Sequence, residues 1–473
     1  MVTAERTSAE RTPKSGSSAP RIKAVLGALA LLVSAVVVGV TAGSGPAAAV
    51  DGVLDPSFGT GGTVITTEGR EGLAIVKQSD GKFVVAGDAT NSSSGKIIRY
   101  NPDGTIDTSF GTAGVVTLGT GLNVQALAIQ SDGRIVAAGT TRSGQDVTVT
   151  RLNTSGTPDT SCNTTGTSTH SLSDYGGASA VAIDPQDGAI VVAGFVRNGS
   201  EFDDFMVMRL TSACALDANF DSDGVVETRF QSQTEDRLFG VAVDPTTGSI
   251  VVVGYKRGGQ FAMARYTKTG ALDTSFGTAG KVELSTQDTG TAFGVTLRTD
   301  GKIVVVGSKF IRTTYTAPAN DSSNCQKSEG KDCEGRQFWV GQFNSDGSID
   351  SSFGTNGETT IPVNARGNDD TARGVAIHSD GKIAVSGIAN VSTYSYNSSS
   401  GTPQGSTIYD FGVARLNPDG TLDTTFGTTG RVTTDFNTSA DEAYGVVIEA
   451  GGKVVVAGTT GNKTFTLARY GTT

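Results

Sequence analysis

Leu272-Asp273-Thr274-Ser275-Phe276-Gly277, followed by Asp300-Gly301-Lys302-Ile303-Val304-Val305-Val306-Gly307, are two phrases that return along the whole chain. With an Arg-Tyr or Arg-Leu close they make one unit. The Asp that opens it falls at Asp55, Asp107, Asp159, Asp217, Asp273, Asp350 and Asp423. Successive units are therefore 52, 52, 58, 56, 77 and 73 residues apart. Self-similarity at such a period means one repeat body rather than a string of independent domains. It overrides the two or three domains that length alone would suggest.

The unit from Phe293 to Phe353 shows what each repeat folds into. Phe293 to Leu297 reads as a short apolar strand, and Arg298 to Gly301 as a tight turn. Lys302 to Gly307 is a β-branched run suited to a pleated sheet, and Phe338 to Phe343 a third strand. Asn344 to Gly347 turns the chain towards a fourth strand, Glu358 to Ile361. Asp-Gly suits both turns, because Gly takes positive φ and Asp accepts backbone N–H groups. Four antiparallel strands per unit make a propeller blade. The repeat enters in mid-unit, at Leu54 to Gly59 and Thr63 to Thr66, and ends on a third strand, Thr464 to Tyr470. The expected fold is all-β, a seven-bladed β-propeller of four-stranded antiparallel blades closed by the N-terminal strand completing the last blade. Closure removes the edges an open stack would expose.

These phrases, together with Arg415-Leu-Asn-Pro-Asp-Gly420, resemble the delta-60 repeat, a bacterial propeller-forming repeat found in exported proteins. The resemblance spans about residues 51–473. It implies a secreted β-propeller and transfers no functional residue, because the repeat carries no agreed catalytic motif. Three features depart from it: Cys162 stands for the usual Phe, Gln342 for the usual Arg, and two units are enlarged by insertions at 308–337 and 388–410.

Residues 1–49 read as a signal peptide. Arg21 and Lys23 precede the apolar run Ala24 to Gly43, and Pro46-Ala47-Ala48-Ala49 supplies small residues for cleavage. The rival reading is an uncleaved anchor, since the run is just long enough to span a bilayer. After cleavage, 50–473 form the propeller, with no further membrane span. Removing five basic and two acidic groups from 37 and 47 leaves 32 against 45, a net charge of −13. Such a surface repels phosphate backbones, so nucleic acid is excluded as a partner. Four cysteines in an exported chain read as disulfides, Cys325 with Cys333 and Cys162 with Cys214.

No nucleophile elbow, zinc-protease helix or P-loop occurs, so no catalytic residue is assigned. His170 and His378 lack triad partners in sequence. The Arg and Asp of each unit recur too often to be a substrate site and read as a structural pair. The Asn-x-Asp-Gly turns, and Asn219 to Gly224, share residue types with calcium loops, but Phe230 stands where an EF-hand needs Glu. They read as turns. No cofactor is assigned, with calcium the one ion these loops leave open.

At the position four residues before the Gly or Ala of each first strand, four of seven residues are acidic, Glu68, Asp236, Asp370 and Asp441; Asp174 and Asp288 lie two residues before two of the others, Gly176 and Gly290. If first strands line the channel, these acids ring one mouth and could hold a cation or a polyhydroxylated ligand. Both insertions open on the same face and concentrate Tyr315, Tyr394, Tyr396 and Tyr409 there. The expected function is a secreted or cell-surface binding or structural module, monomeric, taking an extracellular glycan or protein on the loop-rich face. The alternative is a secreted polysaccharide hydrolase or lyase using the mouth acids.

Overall fold

The computed structural model describes residues 51–473, apart from 89–93, 121, 142–143, 145, 173–174, 198, 200–201, 231–233, 285–289, 314–332, 364–367, 392–394, 397–402, 405–407, 437–439, 462 and 472–473. Residues 1–49, read above as a signal peptide, Asp174, Asp288, Tyr315, Tyr394 and Cys325, and with it the Cys325–Cys333 pairing, lie outside the described residues.

Seven antiparallel sheets follow one another along the chain. Blade 1 is built from Glu71–Lys77, Phe83–Asp88, Ser94–Tyr100 and Val115–Thr120. Blades 2 to 6 repeat this four-strand order. Blade 7 takes Glu442–Ile448, Val454–Thr459 and Phe465–Gly471 from the C-terminus. Its outer strand is Thr63–Thr66, which pairs Phe465–Gly471 from Thr63 opposite Ala468 to Thr66 opposite Phe465. Val53–Leu54 extends the same edge. The fold is the expected seven-bladed propeller, closed through its own N-terminal segment.

The composition of the second strand explains the packing. Val251 and Val253 belong to the core between blades 4 and 5, while Val252 belongs to the core between blades 3 and 4. A strand buried on both faces reads as an unbroken apolar run. Seven such cores lie between neighbouring blades, and one joins Phe83 and Val85 of blade 1 to Val455 and Leu467 of blade 7. The first strands touch one another around the whole ring, which makes them the innermost layer.

The glycine closing the second strand has a specific task. A Cβ on Gly307 would lie 2.0 Å from the Thr291 carbonyl oxygen, and on Gly87 1.6 Å from that of Glu71. Each first strand carries a β-bulge opposite this glycine, between Ala292 and Gly294 in blade 5 and between Gly72 and Ala74 in blade 1. Only a residue without a side chain lets the bulged backbone approach so closely.

The Arg that closes the third strand is a buried joint. Arg99 pairs with Asp107 at 2.7 Å, Arg151 with Asp159 at 2.7 Å and Arg415 with Asp423 at 2.7 Å. Arg469 pairs with Asp55 at 2.9 Å, so the last Arg of the chain meets the first repeat Asp. The same guanidinium stacks on the motif Phe, 4.5 Å from the Phe110 centroid for Arg99 and 4.7 Å from Phe58 for Arg469. In blade 5, Gln342 donates to Asp350 at 2.7 Å and Lys302 supplies the charge at 2.7 Å.

Cys162 and Cys214 form a disulfide with Cα atoms 5.1 Å apart. Elsewhere the motif Phe packs against a turn glycine of the next blade, as Phe110 does against Gly156. Cys162 and Cys214 occupy those two places, and Cys214 has φ +64° like the glycines it replaces. A covalent bond stands in for the ring contact. With its cysteines 52 positions apart it contributes about 4 kcal/mol on the chain-entropy model.

The insertions begin later than expected. The strands of blade 5 continue through Ile303–Thr313 and Cys333–Phe343, and those of blade 6 through Ile383–Asn390 and Tyr409–Leu416. Backbone pairing extends the sheets before the loops depart.

Deleting Leu54 to Thr66 should lower Tm far more than removing thirteen residues between Val391 and Ile408, because it opens blade 7 and its core with blade 1. Calorimetry of both deletions checks this, and equal melting temperatures would rule out closure by this strand. Acid should also loosen the joints. At Asp55 burial opposes ionisation, but hydrogen bonds from Lys453 and Ser57 and the Arg469 charge outweigh it and hold the carboxyl well below 3.8. Asp107 and Asp423 behave alike. A depressed folded pKa gives stability that is present above the unfolded value and lost as pH falls through the folded one. Tm should therefore fall below about pH 4, and Asp107→Asn should shallow that fall.

Candidate functional site

The seven bulges place one residue per blade on the inner wall: Leu73, Gln125, Ser179, Phe239, Phe293, Arg373 and Tyr444. All seven are half-buried. On the side of blades 4 to 7 they touch in sequence. The Phe239 and Phe293 rings lie 5.1 Å apart, and the Arg373 guanidinium sits 5.2 Å from Phe293 and 5.0 Å from Tyr444. Tyr255 extends the arc, 5.8 Å from Phe239. Tyr444 donates its hydroxyl to Glu442 at 2.7 Å, and burial first, then the Glu442 charge, pushes the phenol pKa up. Arg373 carries the arc's charge, and its Nε is buried with no hydrogen-bond partner.

Asp236, Asp370 and Asp441 do not ring the mouth as solvated carboxylates. Each is fully buried. Asp236 accepts the Phe230 N–H at 2.9 Å, Asp370 the Val363 N–H at 3.0 Å, and Asp441 the Phe436 N–H at 2.9 Å. Asp370 also accepts the Asn390 N–H at 2.9 Å. They pin the connection from one blade to the next. The reason is the two-residue period of a strand: Asp236 and Leu238 turn to the core, while Arg237 and Phe239 are half-buried. Glu68 is exposed but belongs to a different register. In blade 1 Gly72 lies before the bulge, opposite Gly87, and Ala74 after it, so Gly72 matches Leu238 and the residue matching Asp236 is Arg70.

The tyrosines and histidines are dispersed. Tyr396 lies in a small hairpin, Ser395–Tyr396 with Pro403–Gln404, and Tyr409 opens the third strand of blade 6 half-buried. His378 pairs with Asp380 at 2.9 Å, and His170 meets Ser168 at 2.6 Å. The calcium-like turns satisfy themselves: Asp103 accepts from the N–H and hydroxyl of Thr105, and Asp419 from those of Thr421. Among the described residues one group of acids lies close enough to share a cation, Asp410, Asp435 and Asp441. Sequence reading missed both this group and the channel arc. The bulge that sets the wall position leaves no mark beyond the opposing glycine, and the acids come from three separate strand ends.

Because Asp370 holds two buried N–H groups, Asp370→Ala should cost about 2–4 kcal/mol by leaving them unsatisfied. Chemical denaturation measures this. Unchanged stability would return Asp370 to the class of solvated loop acids.

Four segments, residues 78–110, 130–161, 246–276 and 378–426, match the family described as "Domain of unknown function (DUF5122) beta-propeller". No curated protein matches the chain. Similar solved structures include a streptogramin B lyase, 12% identical over 73% of this chain and 93% of that one, TM-score 0.34. A gluconolactonase from Xanthomonas campestris is 14% identical over 68% and 84%, TM-score 0.37. A carbohydrate-active enzyme of family AA12 from Trichoderma reesei is 14% identical over 89% and 97%, TM-score 0.39. With seven four-stranded sheets closed in a ring and four segments matching a propeller family, the chain is a β-propeller repeat protein.

Proposed function

We propose that the chain is an extracellular binding module that takes an acidic carbohydrate at the mouth of its channel, on the face where the insertions open. One observation carries this reading: Arg373 is held between the Phe293 and Tyr444 rings with a buried Nε that has no hydrogen-bond partner. Aromatic faces accept the apolar faces of sugar rings, and a guanidinium grips a carboxylate through two parallel hydrogen bonds. A concave wall with apolar lining and few polar groups is the usual form of a small-ligand site. The Cys162–Cys214 disulfide suits an oxidising compartment, and the N-terminal apolar run is of the kind that directs export.

The test is an array of uronate-bearing and neutral oligosaccharides, followed by titration of each hit. Uronate binding should weaken at least tenfold in Arg373→Gln, about 1.4 kcal/mol, with Tm unchanged. Equal binding by Arg373→Gln would overturn the site. Shortened sugars in the mass spectrum would replace the binding module by a hydrolase or lyase.

A further inference from the structure

Blade 6 hands over to blade 7 through three carboxylates. Asp410 stands near the start of the third strand of blade 6, Asp435 follows its fourth strand, and Asp441 precedes the first strand of blade 7. One oxygen from each lies within 4.8 Å of the others. Asp441 is fully buried, Asp410 is 7% exposed, and Asp435 is open to solvent. Like charges at this separation cannot all stay ionised in a buried place without a counter-charge.

The repeat supplies an internal control. Asp204 precedes Phe205 as Asp410 precedes Phe411, and those phenylalanines face Thr228 and Thr434 across the sheet. The next residues along, Arg229 and Asp435, therefore hold one position in two blades. Asp236 and Asp441 match as well, each accepting the N–H of a Phe that lies before it, Phe230 next to Arg229 and Phe436 next to Asp435, at 2.9 Å. Between blades 3 and 4, Arg229 forks onto Asp204, with Nε 2.9 Å from Oδ1 and a terminal nitrogen 2.5 Å from Oδ2. In blade 2 the matching acid, Asp146, accepts the Ser171 hydroxyl at 2.7 Å. Between blades 6 and 7 the arginine has become a third carboxylate. Oδ1 of Asp410 is buried there with no hydrogen-bond partner.

We infer that Asp410, Asp435 and Asp441 bind a hard divalent cation of the calcium class, which takes the place that Arg229 fills between blades 3 and 4. The donor set is all carboxylate oxygen, which suits calcium, magnesium or manganese rather than metals that seek imidazole or thiolate. Calcium tolerates irregular geometry and completes its shell with water, whereas magnesium demands a near-ideal octahedron. Exposed Asp435 gives the ion a route in. Asp441, fixed by the Phe436 N–H, gives it a rigid anchor on the next blade.

The experiment uses the full propeller stripped with chelator, titrated with calcium, magnesium and manganese at pH 7.5 and followed by calorimetry and Tm. Calcium should bind at one site and raise Tm, with magnesium at least tenfold weaker. Asp435→Arg, which installs the residue blade 3 carries, should remove that site and leave a Tm in chelator at or above that of the unsubstituted protein. Asp410→Asn should weaken calcium at least tenfold. The inference is overturned if calcium neither binds nor shifts Tm, or if Asp435→Arg keeps the same number of calcium sites. A Tm that responds to pH but to no cation also overturns it, and assigns the cluster a shared proton.

Discussion

A guanidinium at the end of the third strand, present in six of the seven blades, holds this molecule in register. The Arg at the end of a third strand pairs with the Asp of its own unit and lies over that unit's Phe. It also donates to a carbonyl in the turn of the next blade, as Arg469 does to Pro102 at 2.6 Å. A buried ion pair of this kind adds little net stability, since desolvation offsets the attraction. What it adds is direction: a planar fork satisfied on three sides fixes where the next blade must stand. Apolar cores between blades could slide against one another, and the guanidinium prevents it. Because the Arg469–Asp55 pair joins the two ends of the propeller, the same device that spaces the blades also closes them.

The places where this device is altered show which part of it matters. Blade 5 divides the work, with Gln342 keeping the hydrogen bond and Lys302 the charge. Between blades 2 and 3 the Arg151–Asp159 pair survives while the ring contact becomes a disulfide. The Asp is never lost, since it also ties its own turn through the residue two places on, as Asp107 does with the Ser109 N–H at 3.1 Å. Tyrosine extends the network outward. Tyr100 and Tyr266 are fully buried and donate to Thr66 and Thr228, on the outer strand of the preceding blade. Each buried hydroxyl is thereby satisfied.

The fold was legible because its signals are local and repeated. The Ile-Val-Val-Val runs, the Asp-Gly turns and the phase of the first and last strands gave blade number and closure without ambiguity. The Cys162–Cys214 pair was legible because both residues stand at repeat positions. The site was not, and the reason is the bulge. Counting back from a glycine assumes unbroken alternation, yet the chain inserts a residue between Leu238 and Gly240 and its six counterparts. That residue turns the acids of positions 236, 370 and 441 to the core and delivers Phe239, Arg373 and Tyr444 to the wall. In blade 1 the glycine, Gly72, stands before the bulge rather than after it, so Arg70 and not Glu68 is the equivalent of Asp236.

A scaffold of near-identical units hides chemistry by repetition and discloses it by exception. Arg373 is informative because the corresponding places in the other blades hold a leucine, a glutamine, a serine and three aromatic residues, none of them charged. Asp435 is informative for the same reason: a carboxylate stands where another blade places the arginine that neutralises its neighbours. Neither position departs from ordinary surface composition when read alone. Set beside its counterparts, each breaks a pattern that other blades keep: Arg373 brings a charge, with a buried Nε that has no hydrogen-bond partner, to a wall position that is uncharged in the other blades, and Asp435 puts a carboxylate where blade 3 carries an arginine. Burying a polar group or a charge without compensation costs stability unless something outside the chain supplies it. The proposed ligand and cation sites therefore rest on the differences between blades rather than on the shared motif.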